Sequence, residues 1–76
     1  DLRIYPNPAG DVLTLATEMN VEEVSIYDIY GRMTTVYGLQ TTDFVNRIEV
    51  TDLDNGIYFI NIKTDKGNIV RRFIKN

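Results

Sequence analysis

The chain has 76 residues and a net charge of −3, and it contains neither cysteine nor histidine. A chain of this length buries only about 60% of the surface that it exposes when unfolded, so it forms one small core and one domain. The missing residue types exclude disulfides, thiolate nucleophiles and histidine-based triads and remove nearly all structural zinc sites. We therefore expect no enzyme, no cofactor and no metal site, and no apolar run is long enough for a direct membrane span.

Seven short segments of strand character follow one another along the chain. Residues 11–17 alternate with a period of two, and residues 21–29 and 56–63 are rich in β-branched and aromatic side chains. No apolar stripe at helical spacing is long enough to predict a helix. The predicted strands are residues 2–5, 11–17, 21–29, 32–37, 47–50, 56–63 and 68–75. With a turn signal between most of them, they predict an all-β, antiparallel, immunoglobulin-like sandwich of two layers.

Three tight turns carry glycine at their fourth position, namely Gly31, Gly56 and Gly67. Glycine suits this position because a type I turn followed by a G1 bulge needs a residue at positive φ. We expect the turns that end at Gly31 and Gly67 to be hairpin tips, and the turn that ends at Gly56 to carry the chain between strands. Residues 38–45 are predicted to be the longest irregular link.

Pro6 and Pro8 predict a stiff segment near the start of the chain. Each proline fixes its own φ and pushes the residue before it, Tyr5 or Asn7, into an extended conformation. Because proline cannot donate to a β-ladder, this segment can end an edge strand but cannot lie inside a sheet.

Charge is divided unevenly along the chain. Residues 1–62 have a net charge of −7, and residues 63–76 have a net charge of +4. The basic stretch therefore either pairs with acidic surface of the same domain or meets an acidic partner. An acidic domain with its basic residues at one end lacks the broad positive surface that phosphate contacts require, so we expect no nucleic acid partner.

Two aspartates before Gly56, Asp52 and Asp54, suggest a calcium loop, but the later ligand positions of such a loop are occupied by unsuitable residues, which favours a solvated turn.

Tyrosines suggest a second hypothesis, a surface immunoglobulin-like module for adhesion or carbohydrate binding. Tyr58 is expected in the core, whereas the positions of Tyr30 and Tyr37 stay open.

Several short motifs, taken together, span the whole chain. They are Tyr5-Pro6-Asn7-Pro8-Ala9, Asp28 with Gly31-Arg32, residues 53–58, and Phe73-Ile74-Lys75. In this order and spacing they resemble the type A C-terminal sorting domains of the type IX, or Por, secretion system of Bacteroidetes-type bacteria.

This resemblance implies that residues 1–76 are a single, non-enzymatic C-terminal sorting domain of a larger precursor. It implies recognition in the periplasm by the type IX translocon and transfer to outer-membrane barrel proteins. On many cargoes of this system, a sortase-like protease then removes the domain and joins the new carboxyl end to a lipopolysaccharide anchor. The protein is thus expected in the periplasm in transit and afterwards at the cell surface or outside the cell.

In the family, recognition determinants concentrate toward the C-terminus, which corresponds here to residues 56–76. The predicted translocon-recognition residues are Gly56, Tyr58, Lys63, Gly67, Arg71, Arg72, Phe73, Ile74 and Lys75. The predicted structural motif residues are Pro6, Asn7, Pro8, Asp28, Gly31 and Arg32. We expect the last strand to have two open faces, each with one arginine between apolar residues, and to dock by strand addition. Freed from its passenger, the domain is a candidate for a strand-swapped homodimer.

Overall fold

Seven β-strands build the part of the chain that the structure describes. The structure, a computed structural model, describes residues 1–37 and 44–76. The strands are β1 (Leu2–Tyr5), β2 (Val12–Thr17), β3 (Val21–Tyr27), β4 (Met33–Tyr37), β5 (Val45–Glu49), β6 (Gly56–Thr64) and β7 (Gly67–Lys75). Every predicted strand is confirmed, with ends that differ by at most two residues. Most of the predicted link over residues 38–45 lies outside the described residues, and Val45 belongs to β5.

The strands form two antiparallel sheets. The three-stranded sheet has the order β1-β2-β5, and the four-stranded sheet has the order β4-β3-β6-β7. Apolar residues of both sheets form one buried cluster, which confirms the all-β sandwich. The largest fully buried side chains are Phe73, Leu13, Leu15, Ile26, Ile48, Ile60 and Ile62. Since β7 is the last strand of its sheet, one side of its backbone has no neighbouring strand among the described residues.

The turns behave as their glycines predict. Gly31 has φ of 79° and closes the β3–β4 turn, in which its amide donates to the Asp28 carbonyl at 3.0 Å. Gly67 has φ of 120° and begins β7 directly opposite Thr64, the last residue of β6. These are positive φ values that other residues rarely adopt. The turn before Gly56 carries the chain from β5 in one sheet to β6 in the other, as predicted.

Tyr58 ties the β5–β6 connection to the core. Its side chain is 8% exposed, and its hydroxyl donates to the Asp54 carbonyl at 2.7 Å. Its ring stacks on Phe73 of β7, with ring centroids 5.7 Å apart. A tyrosine at the start of this strand that bonds to backbone a few residues upstream is the tyrosine corner of immunoglobulin-like sandwiches. The predicted core position of Tyr58 is confirmed, and Asp54 acts here through its carbonyl.

The free energy of unfolding is expected to fall above about pH 10. Burial and, to a lesser degree, nearby carboxylates raise the pKa of Tyr58 and of Tyr37, whose hydroxyl donates to the Glu49 carbonyl. Since the unfolded chain loses these phenolic protons first, their contribution is complete below about pH 10 and is lost as pH rises through the folded-state values. Urea unfolding followed across the alkaline range measures this loss.

A matched pair of variants isolates the Tyr58 hydroxyl. Tyr58→Phe keeps the ring and removes one hydrogen bond, so it should lower stability by about 1 kcal/mol near neutral pH. Tyr58→Phe should also reduce the loss of stability at alkaline pH, because one of the two phenolic groups is gone. Tyr30→Phe, at a side chain that is 76% exposed, should change stability by less than about 0.5 kcal/mol. If Tyr58→Phe loses as much stability at alkaline pH as the parent chain does, the loss does not come from the Tyr58 hydroxyl.

Candidate recognition surface

The C-terminal hairpin, formed by β6 and β7, contains every predicted recognition residue. The two strands pair from Gly56 opposite Lys75 to Thr64 opposite Gly67. Because directly opposite residues share a face, the register assigns each side chain of β7 to one side of the sheet. The hairpin thus has an inner face toward the three-stranded sheet and an outer face away from it.

The inner face of the hairpin belongs to the core. Phe73 is fully buried, at 0% exposure, and it packs with Tyr58 and Ile60 in the central cluster. Lys75 is also buried, and its ammonium donates to the Asn76 carbonyl at 2.9 Å. The expectation of two open faces on β7 is therefore wrong, because alternate side chains near its end pack against the opposite sheet. The side chains of Tyr58, Phe73 and Lys75 shape the hairpin from within.

The outer face of the hairpin is apolar and exposed. Ile57 lies opposite Ile74, and Phe59 lies opposite Arg72. Val70 follows on the same face and is 58% exposed, and Ile57 is 42% exposed. The alternation in sequence did not reveal this apolar surface, since it shows which residues share a face but not which face meets the core. The signal that could have found it is the apolar character of both faces of β6 in a chain with only one core.

Arg71 and Arg72 are exposed on β7, and neither lies within ion-pair distance of a carboxylate in residues 1–37 and 44–76. The ion pair found within those ranges joins Arg32 to Asp28, with Nε and Oδ2 2.9 Å apart. Arg71 instead donates to the neighbouring Val70 carbonyl at 3.2 Å. Pairing of these arginines with acidic surface of the same domain thus finds no support in the described residues.

Residues 6–9, here called the proline segment, lie against the end of β7. The Ile74 amide donates to Asn7 Oδ1 at 2.9 Å, and the Ala9 amide donates to the Ile74 carbonyl at 2.6 Å. The Asn76 amide then donates to the Ala9 carbonyl at 2.9 Å. As predicted, β1 ends at Tyr5, just before Pro6. The parallel bridge from Ala9 to Lys75 joins parts of the chain that no local pattern connects.

The motif around Asp28 builds a turn. Asp28 Oδ1 accepts from the amides of Tyr30 and Arg32, at 2.9 and 3.0 Å. Desolvation would raise the pKa of Asp28, but the amide and guanidinium donors of Arg32 and the Tyr30 amide outweigh it and lower that pKa. Asp28, Tyr30 and Arg32 line one side of an open cleft whose other side is the turn over residues 52–56. The cleft lies at the end of the sandwich where β7 ends. It is separated from Arg71 and Arg72, which lie in the middle of that strand.

The sequence of the chain also matches a known protein family. The family model described as the secretion system C-terminal sorting domain matches residues 3–76. The chain belongs to this family. The resemblance carried by the motifs is thereby confirmed, and no curated protein matches the chain.

As a type IX sorting domain, the chain interacts with the machinery of that secretion system. Its family implies export toward the cell surface or the extracellular space. Within residues 1–37 and 44–76, no helix has the length and apolar character that would let it cross a membrane. The individual recognition residues of the sorting domain stay a prediction.

Asn7→Ala should loosen the last residues of the sorting domain. The variant removes the acceptor of the Ile74 amide, and one hydrogen bond of this kind is worth about 1 kcal/mol, so exchange of that amide should quicken about fivefold. Hydrogen exchange followed by NMR measures it, with Asn7→Asp as the control that keeps an acceptor oxygen. Equal exchange rates at Ile74 in Asn7→Ala and the parent chain would show that the contact adds no protection.

Proposed function

We propose that this domain is a non-enzymatic C-terminal signal that the type IX translocon reads at the C-terminal hairpin. The observation that carries the proposal is the pair of exposed arginines, without carboxylate partners in the described chain, on an edge strand beside an apolar outer face. Exposed apolar patches with unpaired charge mark surfaces that bind other proteins.

The predicted recognition residues divide into two roles in this proposal. Lys63, Arg71, Arg72 and Ile74 are accessible and contact the translocon. The others hold the hairpin in shape: Gly56 and Gly67 at its two ends, and Tyr58, Phe73 and Lys75 from the buried side. Pro6, Asn7 and Pro8 brace the end of β7.

We further propose that residues 1–76 end a larger precursor and travel through the periplasm to outer-membrane barrel proteins. Asp1 lies at the end of the sandwich away from Asn76, since Thr17 Oγ1 donates to the Asp1 carbonyl at 2.9 Å and Asn76 bonds to Ala9. A passenger joined before Asp1 leaves the end of β7 accessible. A sortase-like protease could then cut before β1 and anchor the passenger at the cell surface without unfolding the domain.

A fusion tests the sorting function. A folded reporter with a signal peptide is joined before Asp1 and expressed in a cell with an active type IX system. We expect the reporter at the surface or in the medium, and we expect it in the periplasm when the translocon is inactivated or when residues 1–76 are omitted. Retention of the fused reporter in the periplasm of the competent cell would overturn the proposal.

An adhesion or carbohydrate-binding module is not favoured by the family. The most exposed tyrosine, Tyr30, has the Arg32 guanidinium over its ring, with the guanidinium carbon 5.1 Å from the ring centroid. The guanidinium thus covers one of the two ring faces on which a sugar would stack. Tyr37 is half-buried against the core. A strand-swapped homodimer of the isolated domain stays a prediction, and light scattering after size-exclusion chromatography would test it.

A further inference from the structure

The free edge of β7 has a covered part and an open part. The amide and carbonyl of Ile74 point away from β6, because Asn7 and Ala9 bond to them. In an antiparallel ladder these directions alternate with a period of two, so the amides and carbonyls of Arg72 and Val70 point the same way. In residues 1–37 and 44–76, no backbone group bonds to them from that side, and the Val70 carbonyl accepts from the neighbouring Arg71 guanidinium at 3.2 Å.

We propose that this open edge, residues 68–73, binds an extended acidic segment of a partner protein by strand addition. The proposal rests on the sorting function for its biological role and specifies the partner's chemistry. Main-chain bonds to Val70 and Arg72 supply the ladder, and the proline segment ends it at Ile74. The binding site is therefore limited to residues 68–73, because the proline segment already covers the edge at Ile74.

Charge defines the segment that fits. Arg72 lies on the outer face, whereas Arg71 belongs to the series of alternate residues that includes buried Phe73. Neighbouring residues of an added strand also alternate between faces, so two consecutive acidic residues can meet one arginine each. Val70 and Phe73 flank the two arginines along β7, one on each face, and favour apolar residues on either side of the acidic pair.

Other occupants and other edges fit less well. A second copy pairing edge to edge through β7 would bring arginines of both chains together, and like charges across strands are destabilising. The edge strand at the other side of the same sheet, β4, carries no charged residue over Met33–Tyr37. Charge complementarity thus favours an acidic partner at β7.

The test uses the 76-residue chain and a capped synthetic peptide, Thr-Val-Glu-Asp-Val-Thr. At a peptide concentration about ten times Kd, exchange of the Val70 and Arg72 amides should slow about tenfold. The amides of Ile69, Arg71 and Phe73, which face β6, should change little. Loss of binding with rising salt is expected for a contact between exposed charges. Protection of the β4 amides instead, or no protection at all, would overturn the proposal.

Control peptides separate strand addition from charge attraction. A peptide with both valines replaced by proline keeps its charge but loses ladder donors, so it should bind much more weakly. Equal binding of the two peptides would show charge attraction alone and overturn strand addition. The Arg71→Glu/Arg72→Glu chain should lose the acidic peptide and gain affinity for the Thr-Val-Lys-Lys-Val-Thr peptide. The Arg3→Glu/Arg47→Glu chain, with the same change of charge on the three-stranded sheet, should bind as the parent does.

The outcomes distinguish this proposal from the sorting function. Export of the fused reporter without amide protection by the peptide would remove strand addition and leave the sorting role. Amide protection by the peptide without export of the reporter would support binding of an acidic strand and overturn the sorting role.

Discussion

Phe73→Ala is expected to unfold most of the domain at growth temperature. Phe73 is fully buried and stacks on Tyr58, and truncation of a buried phenylalanine costs about 3–5 kcal/mol. A core of this size without disulfide or metal supplies only about 3–5 kcal/mol of net stability. Circular dichroism and urea unfolding should show loss of the folded baseline, and a fused reporter should no longer reach the surface.

Two further variants test the reason for this loss. Phe73→Leu keeps an apolar side chain in the site and should leave the chain folded but less stable than the parent. Phe59→Ala truncates the same residue type on the outer face and should cost about 1 kcal/mol. Equal destabilisation by Phe59→Ala and Phe73→Ala would contradict the assignment of inner and outer faces.

Arg71→Glu with Arg72→Glu should impair export while the domain stays folded. Both side chains are exposed, and neither has an ion-pair partner in the described residues, so reversal should not disturb the core. One charge-assisted contact is worth about 1.5–3 kcal/mol, and about 1.4 kcal/mol is a factor of ten in affinity, so export should fall about tenfold or more. Cell fractionation of the fused reporter measures export, and circular dichroism of the isolated variant measures folding.

Arg3→Glu with Arg47→Glu is the matched control, because it makes the same change of net charge at exposed positions of β1 and β5, in the three-stranded sheet. We expect this variant to be exported at the parent level. If both pairs of substitutions reduce export equally, net charge is responsible, not the position of the arginines. If Arg71→Glu/Arg72→Glu is exported normally with unchanged circular dichroism, the charges of these two arginines do not contribute to recognition by the translocon.

The strands, the turns and the family can all be predicted from short stretches of the chain. Alternation over residues 11–17 and glycines such as Gly31 and Gly67 act through nearby backbone, so their consequences can be predicted from neighbouring residues. The core position of Tyr58 follows from the tendency of an aromatic residue inside a strand to pack in the core. The order of the motifs then indicated the family without any knowledge of contacts.

The surface that the hairpin presents depends on how the two sheets pack. Alternation groups Ile57 and Phe59 on one face of β6, but the position of the second sheet determines that this face is exposed. The contact of Asn7 with Ile74 joins residues 67 positions apart, and it limits the open edge of β7. Both features depend on how the two sheets and the chain ends come together, because burial and edge pairing arise from packing between segments that are distant in sequence.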